Sequence, residues 1–138
     1  MGNMAAPARA VLLVGALYFV VGAGSAALDP SVPDPMRFLW RLAAWLACAA
    51  GFVAHVGYEQ LRWKHSPRTT ARHAAMAVAL GAFLLAVSAT IRATTAPSHA
   101  PYWRYALALV AWPIITALPA FLVALVGGLL LSRLPRRA

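Results

Sequence analysis

The chain has 138 residues, a formal net charge of +9, 62% hydrophobic residues and a mean hydropathy of +0.72. This composition excludes an ordinary soluble domain, because too little polar surface is available to cover an apolar core in water. A lipid bilayer removes that difficulty, and a helix needs about 20 mostly apolar residues to cross one.

Four stretches satisfy this requirement, at about 10–28, 38–60, 73–93 and 104–131, with connections at 29–35, 64–70 and 94–101. An isolated strand cannot cross lipid, because its backbone polar groups would stay unpaired, so all four spans are predicted to be helices. The predicted fold is all-α. It is a single domain, residues 1–138, that forms an integral membrane bundle of four transmembrane helices in up-down antiparallel order.

The first span has an alternative interpretation as a secretory signal sequence. Arg9 precedes its apolar core, and the stretch GSAALDP at 24–30 resembles a cleavage site with small residues. The apolar run is longer than a usual signal core, which favours a retained helix. Sequencing the N-terminus of the mature protein distinguishes the two.

Small residues recur every four positions along the second span, a pattern that lets membrane helices approach closely. The predicted packing positions are Ala43, Ala47 and Gly51 there, and Gly81 and Ser88 on the third span. The second helix is therefore predicted to be central to the packing of the bundle.

The fourth span is longer than a straight crossing requires and contains Pro113 and Pro119. Proline removes a helix hydrogen bond and clashes with the preceding turn, so tilt or a kink is predicted. The two prolines are interpreted either as a gating hinge or as static kinks that fit the helix to its neighbours.

Most of the positive charge falls on one side of this map, which carries eight of the twelve basic residues: Arg9, Arg62, Lys64, Arg68, Arg72, Arg133, Arg136 and Arg137. By the positive-inside rule both termini are predicted to be cytoplasmic.

The Ala- and Arg-rich composition points to a bacterial inner membrane. The predicted partners are the bilayer and its anionic head groups. Nucleic acid is not predicted, because no loop is large enough to form a basic aqueous surface.

The polar residues at the end of the second span are the candidate functional site. Glu59, the only glutamate, follows His55 by one helical turn and precedes Arg62 by three residues. Ionisable groups in a span are functional candidates because they are costly unless paired or hydrated. Two interpretations stay open. One is a salt bridge between Glu59 and Arg62 at the membrane rim, and the other is a binding or proton-relay site of His55, Tyr58, Glu59 and Arg62.

Other site chemistries are not predicted. Cys48 is the only cysteine, which excludes a paired-cysteine oxidoreductase, and no phosphate loop, nucleophile elbow or zinc motif is present. His65 is placed in a loop and His73 at the start of the third span. A haem between helices needs two histidines at matching depth, and His55 is predicted to lie deeper than His73, so no haem pair is expected. No cluster of metal ligands or other cofactor site is expected either, because the aspartates lie on the opposite side from Glu59. No catalytic residue is identified, so the chain is not expected to be an enzyme.

Two functions from different classes follow. The first is a structural or accessory subunit that packs through its small-residue faces, as a homo-oligomer or within a larger membrane complex. The second is a small transporter, channel or ligand-binding membrane protein that uses the polar cluster at the inner mouth, with proton coupling as one variant.

Overall fold

The computed structural model describes residues 5–27, 33–95 and 101–133, and all regular secondary structure within them is helical. The helices are α1 (Ala5–Ala26), α2 (Asp34–Leu61), α3 (Pro67–Thr95) and α4 (Tyr102–Arg133). All four are long and apolar enough to cross a membrane. Each predicted span therefore corresponds to one helix. The up-down order, the single domain, the cytoplasmic termini and the retention of the first span stay predictions.

Ser66 and Pro67 define the start of α3. The Ser66 hydroxyl accepts a hydrogen bond from the Thr69 backbone N–H at 3.2 Å, which makes Ser66 the N-cap. Proline suits the first helical position, where no N–H donor is needed. Only residues 62–66 therefore separate α2 from α3. The predicted connection at 64–70 was wrong in its second half, because Pro67 begins the helix rather than breaking it.

The centre of the packing is α3, which contacts α1, α2 and α4 and lies most extensively against α4. Its buried side is made of small residues: Thr70, Ala71, Ala74, Ala77, Gly81, Ala82 and Ala86. On α2 the predicted packing positions Ala43 and Ala47 are exposed, and the buried residues are His55, Val56 and Glu59. The prediction that α2 is central was therefore wrong, because only the second half of α2 lies against the other helices.

Glycine allows the closest approach where α1 crosses α3. A Cβ atom added at Gly81 would lie 2.7 Å from Tyr18 Cβ and 3.1 Å from the backbone oxygen of Gly15. Both atoms belong to the backbone of α1 or are attached directly to it, so they cannot move aside without moving that helix. The predicted packing position Gly81 thus lies at a true helix contact.

The other predicted packing and hinge residues have different surroundings. Gly51 faces α1, where an added Cβ would lie 3.0 Å from Leu17 Cδ2. The Ser88 hydroxyl donates a hydrogen bond to the backbone oxygen of Leu85 at 3.0 Å, within its own helix. Pro113 and Pro119 both lie inside α4, which continues through them as one helix. A gating role for the two prolines stays a prediction.

A cavity of about 1020 Å³ lies between the four helices. Each helix contributes to its wall, for example through Tyr18, Phe52, Leu85 and Trp112. The α2 residues that line it lie between Arg41 and Phe52, before the buried residues His55, Val56 and Glu59. The cavity thus separates this part of α2 from α3 and α4.

Gly128 is predicted to be required for the packing of α4 on the start of α3. A Cβ atom added there would lie 3.0 Å from Gln60 Nε2 and 3.3 Å from Pro67 Cα. We expect Gly128→Ala to lower the free energy of unfolding by about 1 kcal/mol, because tight contacts force small shifts of the backbone. The matched control is Gly127→Ala, since nothing lies within 4 Å of its added Cβ. Equal melting temperatures for the two variants in detergent would contradict this packing.

Candidate functional site

Glu59 is the centre of a polar cluster at the α2–α3 end of the bundle, meaning the end that carries the 62–66 turn. Its side chain is fully buried. His73 Nδ1 lies 2.9 Å from Glu59 Oε1 and 3.0 Å from Oε2, and His65 Nδ1 lies 3.3 Å from Oε2. One carboxylate therefore contacts two imidazoles, one from α3 and one from the turn.

A third imidazole approaches Glu59 from its own helix. His55 is buried, and its Nε2 lies 3.6 Å from Glu59 Oε1, too far for a hydrogen bond. This nitrogen has no hydrogen-bond partner among the described residues. An unsatisfied buried polar group costs about 1–3 kcal/mol. His55 Nε2 is therefore a group that a bound ligand would stabilise.

The geometry of the turn brings His65 onto Glu59. Lys64 has a φ of 53°, in the left-handed region that side chains other than glycine rarely adopt. The His65 backbone N–H donates a hydrogen bond to the Glu59 backbone oxygen at 3.3 Å, which closes the turn. The chain thus reverses directly over the end of α2, and the imidazole of His65 lies beside the carboxylate.

The early start of α3 brings His73 to the same depth as the α2 residues. His73 lies about 9 Å along α3 from Pro67, and His55 lies about 9 Å along α2 from Leu61. The sequence placed His73 at the very start of its helix and therefore too close to the membrane surface. The predicted difference in depth between His55 and His73 was wrong, because residues 67–72 form nearly two helical turns before His73.

Buried residues around Glu59 keep its carboxylate away from water, whereas His65 and His73 are partly exposed. Gln60 Nε2 donates a hydrogen bond to Thr70 Oγ1 at 2.9 Å, and Thr70 is fully buried. The same turns of α2 and α3, with α4, supply an apolar core of Val56, Ala71, Ala74 and Ala124. Electrostatic interactions are stronger in such surroundings than in water. The charge on Glu59 must therefore be balanced locally.

Two of the predicted site residues lie outside the cluster. Tyr58 is exposed, and its ring packs edge-on against Trp63 with 5.3 Å between the ring centres. Arg62 is also exposed, and among the described residues the ionic contacts of Glu59 are with the three histidines, not with Arg62. The salt bridge predicted at the rim was therefore wrong. The Glu59 carboxylate points toward α3 rather than along the surface of α2.

The sequence did not identify His65 and His73 as members of this site. The signal that would have found them is the Ser66-Pro67 pair, which is typical of an N-cap followed by the first residue of a helix. A helix that starts at Pro67 shortens the turn and brings both histidines to the end of α2. The sequence of the turn, rather than that of α2, therefore determines which residues contact Glu59.

Glu59, His65 and His73 have the arrangement of a metal ligand set. One ligand atom from each lies within 4.8 Å of the others. Tetrahedral zinc with bonds of about 2.0–2.1 Å holds its ligands roughly 3.3 Å apart. The contacts of Glu59 with the His73 and His65 nitrogens, at 2.9 and 3.3 Å, are close to that spacing. The expectation that no ligands cluster was therefore wrong, because it considered the aspartates rather than His65 and His73 as companions of Glu59.

Three features thus converge at the α2–α3 end: a buried carboxylate, two imidazoles in contact with it, and a third imidazole whose Nε2 has no hydrogen-bond partner in the described part of the chain. Such a group can bind a cation or hold a proton.

In comparisons with known proteins, the chain matches no protein-family model, no curated protein and no solved structure.

Proposed function

We propose that the chain is a small membrane protein that binds one divalent transition-metal ion, of the zinc class, through Glu59, His65 and His73. The observation that carries this proposal is the fully buried Glu59 carboxylate in contact with imidazole nitrogens from two other chain segments. Imidazole and carboxylate together favour zinc and its neighbours, whereas Mg²⁺ and Ca²⁺ prefer oxygen ligands alone.

A metal ion accounts for the cluster better than an isolated ion pair does. A buried Glu59–His73 pair would balance the carboxylate through one protonated imidazole, but His55 Nε2 would stay unsatisfied. A divalent cation balances the carboxylate and accepts lone pairs from neutral imidazoles at the same time. Three protein ligands leave further coordination positions, and His55 is the nearest additional donor.

Binding of a metal ion is better supported than conduction of ions through the bundle. The space beyond the cluster, toward the other end of the bundle, is the cavity that begins at Phe52 and is lined almost entirely by apolar side chains. An ion moving through it would lose its ligands and find few replacements. The proposal therefore includes no transport pathway, and it assigns no catalytic residue.

Zinc binding by purified protein tests the proposal. The protein is stripped of metal with a chelator, freed of any histidine tag and titrated with Zn²⁺ in detergent micelles against a competing zinc dye. We expect one Zn²⁺ per chain, and an increase in melting temperature with zinc concentration, because a ligand that binds only the folded state stabilises it. His65→Gln and His73→Gln should each weaken the affinity by at least about tenfold.

Arg62→Gln is the matched control, because Arg62 lies next to the cluster in sequence but outside it in space. This variant should bind zinc as the unmodified protein does. Binding of less than one Zn²⁺ per chain at saturation would overturn the proposal. So would an affinity that does not change in the two histidine variants.

The accessory-subunit hypothesis is a second candidate, favoured by one observation. The small residues Ala43 and Ala47 lie four positions apart on the exposed part of α2, and none of the four described helices packs over them. Small residues at this spacing suit contact with another membrane helix. Blue-native electrophoresis after mild detergent extraction tests this. Recovery of the protein only as a lone protomer would contradict it.

A further inference from the structure

The cavity between the four helices has an uneven distribution of charge. Its volume is about 1020 Å³, near the upper end of the roughly 300–1,000 Å³ that is typical of ligand sites. The charged residues in its wall are Arg41 and Arg92, and the remainder of the wall is mostly aliphatic and aromatic. Among the described residues, no acidic side chain lines it. A ligand that matches this wall has a large apolar part and a negative charge.

Both arginines lie far from the α2–α3 end. By helical rise, Arg41 lies about 30 Å from the end of α2 and Arg92 about 38 Å from the start of α3. Since the 62–66 turn joins these two helix ends, both guanidinium groups lie toward the opposite end of the bundle. The positive charge is therefore at one end of the cavity, and Phe52 marks its apolar limit toward the Glu59 cluster.

Neither arginine is neutralised within the described part of the chain. The ion pairs found there involve Asp34 and Glu59, and neither of them includes Arg41 or Arg92. Arg92 donates one hydrogen bond, from Nη2 to Ser88 Oγ at 3.3 Å. Guanidinium groups bind phosphate through paired hydrogen bonds, so two of them at one end of an apolar cavity suit a phosphate head group.

A third polar group borders the cavity. Tyr18 lines it from α1, and its buried hydroxyl has no hydrogen-bond partner among the described residues. Buried tyrosine hydroxyls usually find a partner. The hydroxyl is therefore available to a polar atom of a bound molecule.

We propose that this cavity binds one anionic phospholipid, with an acyl chain between the helices and the phosphate held by Arg41 and Arg92. Zwitterionic phospholipids carry the same chains and the same phosphate, but their ammonium group faces two arginines. The net charge of the head group is therefore expected to decide which lipid is retained. This site is separate from the Glu59 cluster and does not depend on metal binding.

Lipid retention during purification provides the test. The protein is reconstituted in nanodiscs with equal amounts of phosphatidylglycerol and phosphatidylcholine, extracted, washed extensively in detergent and analysed for bound lipid by native mass spectrometry. We expect one bound phosphatidylglycerol in preference to phosphatidylcholine. In the Arg41→Gln/Arg92→Gln variant that preference should fall by at least about tenfold, because the two positive charges that disfavour the ammonium group of phosphatidylcholine are removed.

Three further variants distinguish a lipid bound in the cavity from lipids bound on the general membrane surface. Arg104→Gln removes an exposed arginine near the start of α4 that lies outside the cavity, and it should leave the preference unchanged. Ala120→Phe places a ring in the cavity wall and should remove the bound lipid, whereas Ala106→Phe on the exposed side of α4 should not. Circular dichroism confirms that each variant is folded.

Three results would overturn the proposal. The first is equal retention of the two lipids by the unmodified protein. The second is a preference in the double arginine variant that equals the preference in Arg104→Gln. The third is full retention of phosphatidylglycerol by folded Ala120→Phe, because the lipid would then lie outside the cavity.

Discussion

Glu59→Gln is expected to weaken zinc binding by at least about 100-fold. Glutamine has almost the same size as glutamate, so the packing around the site is kept while the anionic ligand is lost. Changes to residues that only support metal ligands already cost about 10- to 100-fold in affinity, and a direct ligand should cost at least as much. The affinity is measured by the same dye competition in detergent.

The same substitution should also destabilise the metal-free protein. Glu59 Oε1 and Oε2 both lie within 3.0 Å of His73 Nδ1, and an amide reproduces only part of this interaction. We expect the free energy of unfolding to fall by about 1–3 kcal/mol. The matched control is Asp34→Asn, because Asp34 is exposed and its ion pair among the described residues is with Arg37, so zinc affinity and stability should be close to the unmodified values. Unchanged zinc affinity in Glu59→Gln would show that the carboxylate is not a ligand.

Gly81→Ala is expected to lower the free energy of unfolding by about 1–3 kcal/mol, the largest effect of a single added methyl group in this bundle. The new Cβ would lie 2.7 Å from Tyr18 Cβ, closer than real carbon atoms approach. Gly15 limits any adjustment, because its backbone oxygen lies only 3.1 Å from the new Cβ. The two helices must therefore separate, and buried area between α1 and α3 is lost. Thermal unfolding in detergent measures the effect.

Gly24→Ala is the control for this experiment. Nothing lies within 4 Å of its added Cβ, so the substitution changes helix propensity without changing the packing. Alanine is favoured over glycine in a helix by up to about 1 kcal/mol, and the control should be neutral or slightly stabilising. A Gly81→Ala variant that melts at the same temperature as Gly24→Ala would mean that α1 and α3 do not cross at this point.

The position of α2 connects the two proposed sites. Its last turns carry His55 and Glu59 into contact with α3 and the 62–66 turn, whereas its residues from Arg41 to Phe52 border the cavity. Phe52 lies at the boundary of these two parts and contacts both the cavity and the core beside Val56. The two ligands are therefore expected to bind independently, because an apolar layer separates the metal site from the space for the lipid.

The sequence determined the number of helices and their approximate positions. A run of some 20 apolar residues has few stable alternatives to a helix in lipid, because backbone hydrogen bonds must be made within the segment. The sequence also singled out Glu59 and His55, because ionisable residues are rare in such runs. These conclusions depend on composition and on short-range spacing, both of which can be read directly from a single sequence.

The partners of Glu59 were decided by the tertiary structure. Arg62 is three residues away and was the expected partner, but the carboxylate contacts His73, fourteen residues later, because α3 begins at Pro67 and returns alongside α2. The identity of the central helix was decided in the same way. Both α2 and α3 carry small residues at helical spacing, and only the crossing of α1 over Gly81 and the packing of α4 show which set is buried. Contacts between helices depend on how their faces fit together in three dimensions, and periodicity along a single helix does not contain that information.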